Sequence, residues 1–265
     1  MKQMEFSPVI FLDTNALHYI SSYLRHAQEM NLPPYGEKQT YGEVVNLLRE
    51  HLPKALVDGV MNGGKTLAFL QIQVRDHEAQ IYISRFTKAE VLHGIFDGQA
   101  HARLARERMP YRMRQHLRTL GELVSMYLES KDYENLAKEF DYLLENLNKN
   151  GHISIRFVED DGNFSVIADL ADFIQSRVFI DVLDAWIYAC AIAVQADYLI
   201  TFDNYLKNVV NKIYNPGNDR DWQEIRYNIY YKLNDVFGVK TTISPSLPLV
   251  EKLDEMVPIP WDLSR

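Results

Sequence analysis

A single cysteine, Cys190, stands in 265 residues. That scarcity excludes an intramolecular disulfide and any zinc site built from several thiolates. A reducing, cytoplasmic setting is expected from it. Long apolar runs are missing too, so no segment reaches membrane-spanning length and no membrane partner is expected. The first apolar stretch, Val9–Leu12, stops at Asp13. It is too short for the apolar region of a secretory leader, and no leader is expected. Positive charge is in deficit, with 28 Lys and Arg against 36 Asp and Glu and a formal net charge of −8. That balance argues against a general nucleic-acid coat, because phosphate binding needs local positive charge. Internal repeats, low-complexity tracts and linker-like segments are absent as well. Hydrophobic residues make up 47% of the chain, enough to bury a sizeable core in one elaborated domain.

The distribution of charge says more than its sum. Between His101 and Arg118 lie Arg103, Arg106, Arg108, Arg112, Arg114 and Arg118, with Glu107 the only acid. This basic stretch could track an RNA backbone, with Tyr111 available for stacking. It could equally be a solvated helix face paired with acids elsewhere.

Periodicity places the elements. Val9–Leu12, Ile81–Ser84 and Tyr198–Thr201 read as short buried strands. His152–Val158 alternates like a strand, and Val239–Ile243 is a further candidate. Helical spacing marks Ala16–Arg25, Tyr41–Leu52, Thr66–Glu78 and Ala89–Phe96, the last stopping before Asp97-Gly98. Gln99–Glu129 reads as helix broken near Pro110, and Tyr133–Leu147 as an amphipathic helix ended by Asn148–Gly151. Phe164–Ser176 looks helical, Val182–Ala196 is apolar nearly all round, and a short helix is expected over Leu249–Met256. Asn31–Gly36, with its paired prolines, is a loop. Short strands alternating with helices predict a three-layer α/β/α sandwich around a mostly parallel sheet. Helical insertions are expected at about 26–80 and 99–150.

Four acids stand where these elements would deliver them to one place. Asp13 follows Val9–Leu12 and Asp203 follows Tyr198–Thr201. Ligands of such sheets sit beyond the carboxyl ends of the strands. Glu90 comes shortly after Ile81–Ser84, and Asp184 opens the apolar helix. Two carboxylates 4 Å apart repel by roughly 4 kcal/mol at an effective dielectric near 20. A fold that gathers four needs a reason, and a divalent cation is the usual one. Taken singly, each acid has an ordinary reading as a helix cap, a turn or a surface charge. Asp181 lies three residues before Asp184 and shares its helix face, so it is either a rival to Asp184 or a helix-start charge.

Four segments, in order, resemble a PIN-domain nuclease: the strand leading into Asp13-Thr14-Asn15, the segment Ser84-x-x-Thr87-x-x-Glu90, the helix starting Asp184-Ala185, and the strand leading into Thr201-x-Asp203. The resemblance covers mainly residues 8–20, 80–97 and 180–206. It implies a PIN-like fold and a metal-dependent ribonuclease, in which Asp13, Glu90, Asp184 and Asp203 hold one or two Mg2+ or Mn2+ ions. It takes Asp184 rather than Asp181 as the ligand. Asn15 and Thr201 would then support the ligands or touch phosphate. In-line hydrolysis would leave a 5′-phosphate and a 3′-hydroxyl. An RNA substrate is the implied partner, and an inhibitory protein partner and a homo-oligomer both stay open. The long stretch between Asp13 and Glu90 departs from the compact members of the family and puts a toxin role in doubt, though not nuclease chemistry.

Two alternatives remain. One is a non-catalytic RNA- or protein-binding module on the same scaffold. The other is nucleotide binding through Gly59-Val-Met-Asn-Gly-Gly64-Lys65-Thr66, which matches the phosphate-loop pattern. The strand that should precede such a loop is poor, and a Gly-rich turn between two helices is the favoured reading. Trp222, Tyr227, Tyr230 and Tyr231, with Arg226 and Lys232, could stack bases, but the aromatic group is expected in the core; Cys190 is expected to pack in its apolar helix, and His18 and His93 are expected to be ordinary helix residues.

Overall fold

The computed structural model describes residues 7–30, 41–52, 54–119, 129–161 and 164–237. The loop expected at Asn31–Gly36, the strand at Val239–Ile243 and the helix at Leu249–Met256 lie outside the described residues. Four short strands, β1 (Val9–Leu12), β2 (Gln80–Ile83), β3 (Ile155–Phe157) and β4 (Tyr198–Ile200), form one sheet in the order β3-β2-β1-β4. Every pairing is parallel, with Ile10 opposite Ile81, Phe11 opposite Leu199 and Tyr82 opposite Arg156.

Side chains alternate across the strands and divide the core in two. Phe11, Tyr82 and Leu199 join one apolar cluster. Ile10, Leu12, Ile81, Ile83 and Ile200 join the other. The first cluster is completed by α7 (Phe164–Arg177), α8 (Val182–Ala193), α9 (Asn204–Tyr214) and α10 (Arg220–Phe237). The second is completed by α1 (Thr14–Glu29), α2 (Tyr41–His51), α3 (Lys54–His77), α4 (Arg85–Arg106) and α6 (Ser130–Gly151). A short α5 (Tyr111–Thr119) leaves the end of α4. The chain is therefore α/β, with helices on both faces of a parallel sheet. No helix among the described residues is long and apolar enough to cross a membrane.

Several boundaries differ from the sequence reading, each for a physical reason. Gly59–Thr66 is neither a phosphate loop nor a turn. It lies inside the continuous helix α3, whose amides are bonded along the helix and cannot cradle a phosphate. Thr66 is fully buried and donates its hydroxyl to the Asn62 carbonyl at 2.8 Å. The glycines serve packing. A Cβ on Gly63 would lie 2.0 Å from the Tyr19 carbonyl oxygen, and one on Gly64 would lie 2.9 Å from the Tyr23 ring. Only glycine lets α3 approach α1 that closely.

Helix α4 runs through Asp97-Gly98 rather than stopping before it, because Val91, Ala100 and Leu104 continue its buried face. Ser84 belongs to this helix rather than to β2, as its N-cap, accepting from the Phe86 amide at 3.0 Å. The break near Pro110 is present. Arg108 takes a left-handed φ of 64°, and the Pro110 carbonyl accepts the first amides of α5. Helix α6 overruns Asn148 and ends at His152 in the left-handed region. That shortens the strand expected over 152–158. Helices α9 and α10 have no counterpart in the sequence reading. Trp222 and Ile229 of α10 face the core, but Tyr227 and Tyr231 are exposed, against the expected burial.

Candidate metal centre

The site forms at the carboxyl edge of the sheet, where β1 and β4 end side by side. The Asp13 amide donates to the Ile200 carbonyl at 3.0 Å and so aligns the two strand ends. Asp13 is 3% exposed, and both of its carboxylate oxygens are engaged. Oδ1 accepts from the Thr14 amide at 2.5 Å, and Oδ2 accepts from the Thr201 hydroxyl at 2.6 Å. The Thr201 hydroxyl oxygen in turn accepts from the Asp203 amide at 3.0 Å and from the Asn15 side-chain amide at 3.5 Å. The Asn15 carbonyl oxygen accepts from the Phe202 amide at 2.8 Å. Asn15 and Thr201 therefore tie the turn after β1 to the turn after β4, and the loop carrying Asp203 is locked against the loop carrying Asp13.

Asp203 is the N-cap of α9. Its Oδ1 accepts from the amides of Tyr205 at 2.6 Å and Leu206 at 3.0 Å. Glu90 reaches the same region from α4, where its Oε2 accepts from the Thr14 hydroxyl. Thr14 was quoted in the sequence motif without a role. Its bond to Glu90 joins two residues far apart in the chain, and no local pattern could have signalled it.

Asp181 and Asp184 separate cleanly. Asp181 is exposed and caps α8, its Oδ1 accepting from the Leu183 amide at 2.9 Å. Asp184 sits half-buried in the first turn of that helix, and no hydrogen bond among the described residues reaches its carboxylate. Its neighbours are negative. Burial pushes the Asp184 carboxyl up to about 7, and repulsion from Asp13, Asp203, Asp181 and Glu90 adds to it. Burial likewise pushes Asp13 up to about 6, against the bonds from Thr201 and Thr14, with Glu90 and Asp203 adding repulsion. The four acids named from the sequence thus stand within one another's field, and three helix N-termini, those of α1, α8 and α9, open toward them.

Carboxylate oxygens are the donors that hard divalent cations prefer, so the donor chemistry fits Mg2+ or Mn2+. Among the described residues, no three His, Cys, Asp or Glu side chains stand close enough to form a ready-made ion cage. The oxygens of Asp13, Glu90 and Asp203 that make hydrogen bonds are held by Thr14, Thr201 and backbone amides instead. Histidine adds nothing. His93 is exposed, and burial holds the half-buried His18 below its ordinary pKa.

The arginines do not join the site. Glu90 and Arg106 lie on one helix, separated by about 24 Å at the usual rise. Arg103 pairs with Asp132 at 3.4 Å, and Arg114 hydrogen-bonds His101 at 3.0 Å while lying over the Tyr111 ring. Arg106 and Arg112 are exposed. No family model, curated protein or solved structure matches this chain.

Proposed function

We propose that this chain is a PIN-like ribonuclease that hydrolyses RNA phosphodiester bonds with Mg2+ or Mn2+ held by Asp13, Glu90, Asp184 and Asp203. The observation that carries this reading is Asp184. It is a half-buried carboxylate that no hydrogen bond among the described residues reaches, held in the field of four other acids whose oxygens are positioned by hydroxyls and amides. Such an arrangement disfavours its own negative charge, and a cation is the natural counterweight. When bound, the ion supplies positive charge that offsets the phosphodiester and lowers the pKa of an attacking water.

The protein's own residues prepare the site. Thr201 and Thr14 hold the Asp13 and Glu90 carboxylates in fixed rotamers. Asn15 and Thr201 keep the β1 and β4 turns in register, so Asp13 and Asp203 cannot drift apart. Asp181 holds the start of α8 in place and is not a ligand in this reading. The buried Cys190 suits the cytoplasmic setting that the reading assumes.

The test is cleavage of a single-stranded RNA with Mg2+, Mn2+ or chelator. Metal-dependent products carrying 5′-phosphates are expected. Asp13→Asn and Asp184→Asn should each lower the rate at least a hundredfold, the loss expected when charge stabilisation at the reacting centre is removed. Cleavage that persists in chelator, or survives Asp13→Asn, would overturn the reading. RNA retention without cleavage under every divalent ion would favour a non-cutting binding module.

A further inference from the structure

Phe179 is 95% exposed, the most exposed of the large apolar side chains described. It lies in the loop between α7 and α8, two residues before the helix cap Asp181. Its chain neighbours Val178 and Ile180 are both buried in the core, so the backbone is anchored on either side and the ring is turned outward. A third anchor comes from α9, where the Tyr205 hydroxyl donates to the Phe179 carbonyl. The ring is therefore presented on a pinned loop.

Its location gives this presentation a use. Tyr205 is two residues past Asp203, and its own amide is bonded to the Asp203 carboxylate. One residue thus ties the Phe179 loop to a proposed metal ligand. The Tyr205 ring is half exposed, and Val182 beside Asp181 is exposed as well. These three exposed apolar side chains each lie within two residues of Asp181 or Asp203 in the chain, and the Tyr205 bonds tie Phe179 to the Asp203 turn.

We infer that Phe179, with Tyr205 beside it, stacks an unpaired nucleobase of the strand whose backbone enters the acidic site. The inference rests on the nuclease reading above and adds a substrate requirement to it: a nucleotide next to the scissile phosphate must be free to leave a helix. A protein partner fits these side chains less well. A stable protein interface needs about 800 Å² from each side, far more than three side chains offer, whereas one ring matches one base.

The experiment is binding and turnover of a labelled single-stranded oligoribonucleotide, with Ca2+ in place of Mg2+ for the binding arm. Phe179→Ala should weaken binding about tenfold, the effect expected from losing one base–aromatic stack. It should raise KM with kcat unchanged and leave the melting temperature unmoved. Phe179→Trp should restore affinity. An oligonucleotide with abasic sugars next to the cleavage position should bind wild type and Phe179→Ala equally, and a base-free phosphodiester should be hydrolysed equally by both.

Equal affinity of wild type and Phe179→Ala for base-bearing RNA overturns the inference, as does an equal loss on the abasic strand or a wild type that does not bind RNA. A change in sedimentation mass in Phe179→Ala with RNA affinity intact would mark the ring as a contact between copies, and also overturns it. Base-dependent binding without cleavage under any divalent ion would sustain the stacking and sink the nuclease reading, so the two fail separately.

Discussion

Asp184 couples the candidate site to pH through stability. Its folded pKa of about 7 stands above the ordinary carboxyl value of 3.8, with burial the largest cause. An acid in that position ionises more readily in the unfolded chain, so the fold loses stability as pH rises from about 4 through about 7. Asp13, raised to about 6, acts in the same direction over a narrower window. The contribution of Asp184 is softened by its partial exposure, since solvent screens the repulsion. Asp184→Asn removes the charge without removing a hydrogen bond among the described residues. In chelator, the variant should melt with wild type near pH 4 and about 5 °C above it at pH 8. Saturating Mg2+ at pH 8 should reverse that order, because the wild type alone keeps its full set of donors. Calorimetric scans across pH, with and without the ion, check both halves. A variant no more stable than wild type at pH 8 in chelator would show that the four acids do not strain the fold.

Helices α1 and α3 show what local patterns convey and what they hide. Val9–Leu12 and Tyr198–Ile200 were legible because short apolar runs with branched or aromatic residues fit a strand buried on both faces, and the acids after them follow from that placement. Asp181 and Asp184 are ranked in the sequence only through the resemblance, because both sit at a helix start and only the backbone decides which one caps. Gly59–Thr66 misled for a related reason. Glycine serves turns, phosphate loops and close helix contacts alike, and the Tyr19 carbonyl that selects the third use is distant in sequence. Asp97-Gly98 read as a stop, yet burial of Ala100 and Leu104 carried α4 past it. The glycines therefore respond oppositely to the same change. Gly63→Ala should destabilise by roughly 3 kcal/mol, because its Cβ would meet backbone and the two helices would have to part. Gly94→Ala, on the exposed face of α4 with open space around it, should stabilise by about 0.8 kcal/mol through helix propensity alone. Urea titrations of both variants decide this. Similar effects from the two would show that α1 and α3 do not meet at Gly63.

The whole molecule gathers its acids by topology. With β1 and β4 adjacent and parallel, their carboxyl ends bring Asp13 and Asp203 together from opposite ends of the chain. Glu90 arrives from α4 after the neighbouring strand β2, and Asp184 from α8 on the opposite face of the sheet. Both apolar layers thus send an acid to one edge, and an ion bound there would bridge them. Binding at a hundredfold excess over Kd adds about 2.7 kcal/mol to the stability of the folded state. That gain should be spread over distant segments rather than confined to one loop. Hydrogen exchange in Mg2+ against chelator should slow together at the starts of α1, α8 and α9 and around Glu90 in α4. The exposed face of α10 should exchange as before. Protection confined to one of the four segments would mean that the acids do not share an ion, and the raised pKa of Asp184 would then need another explanation.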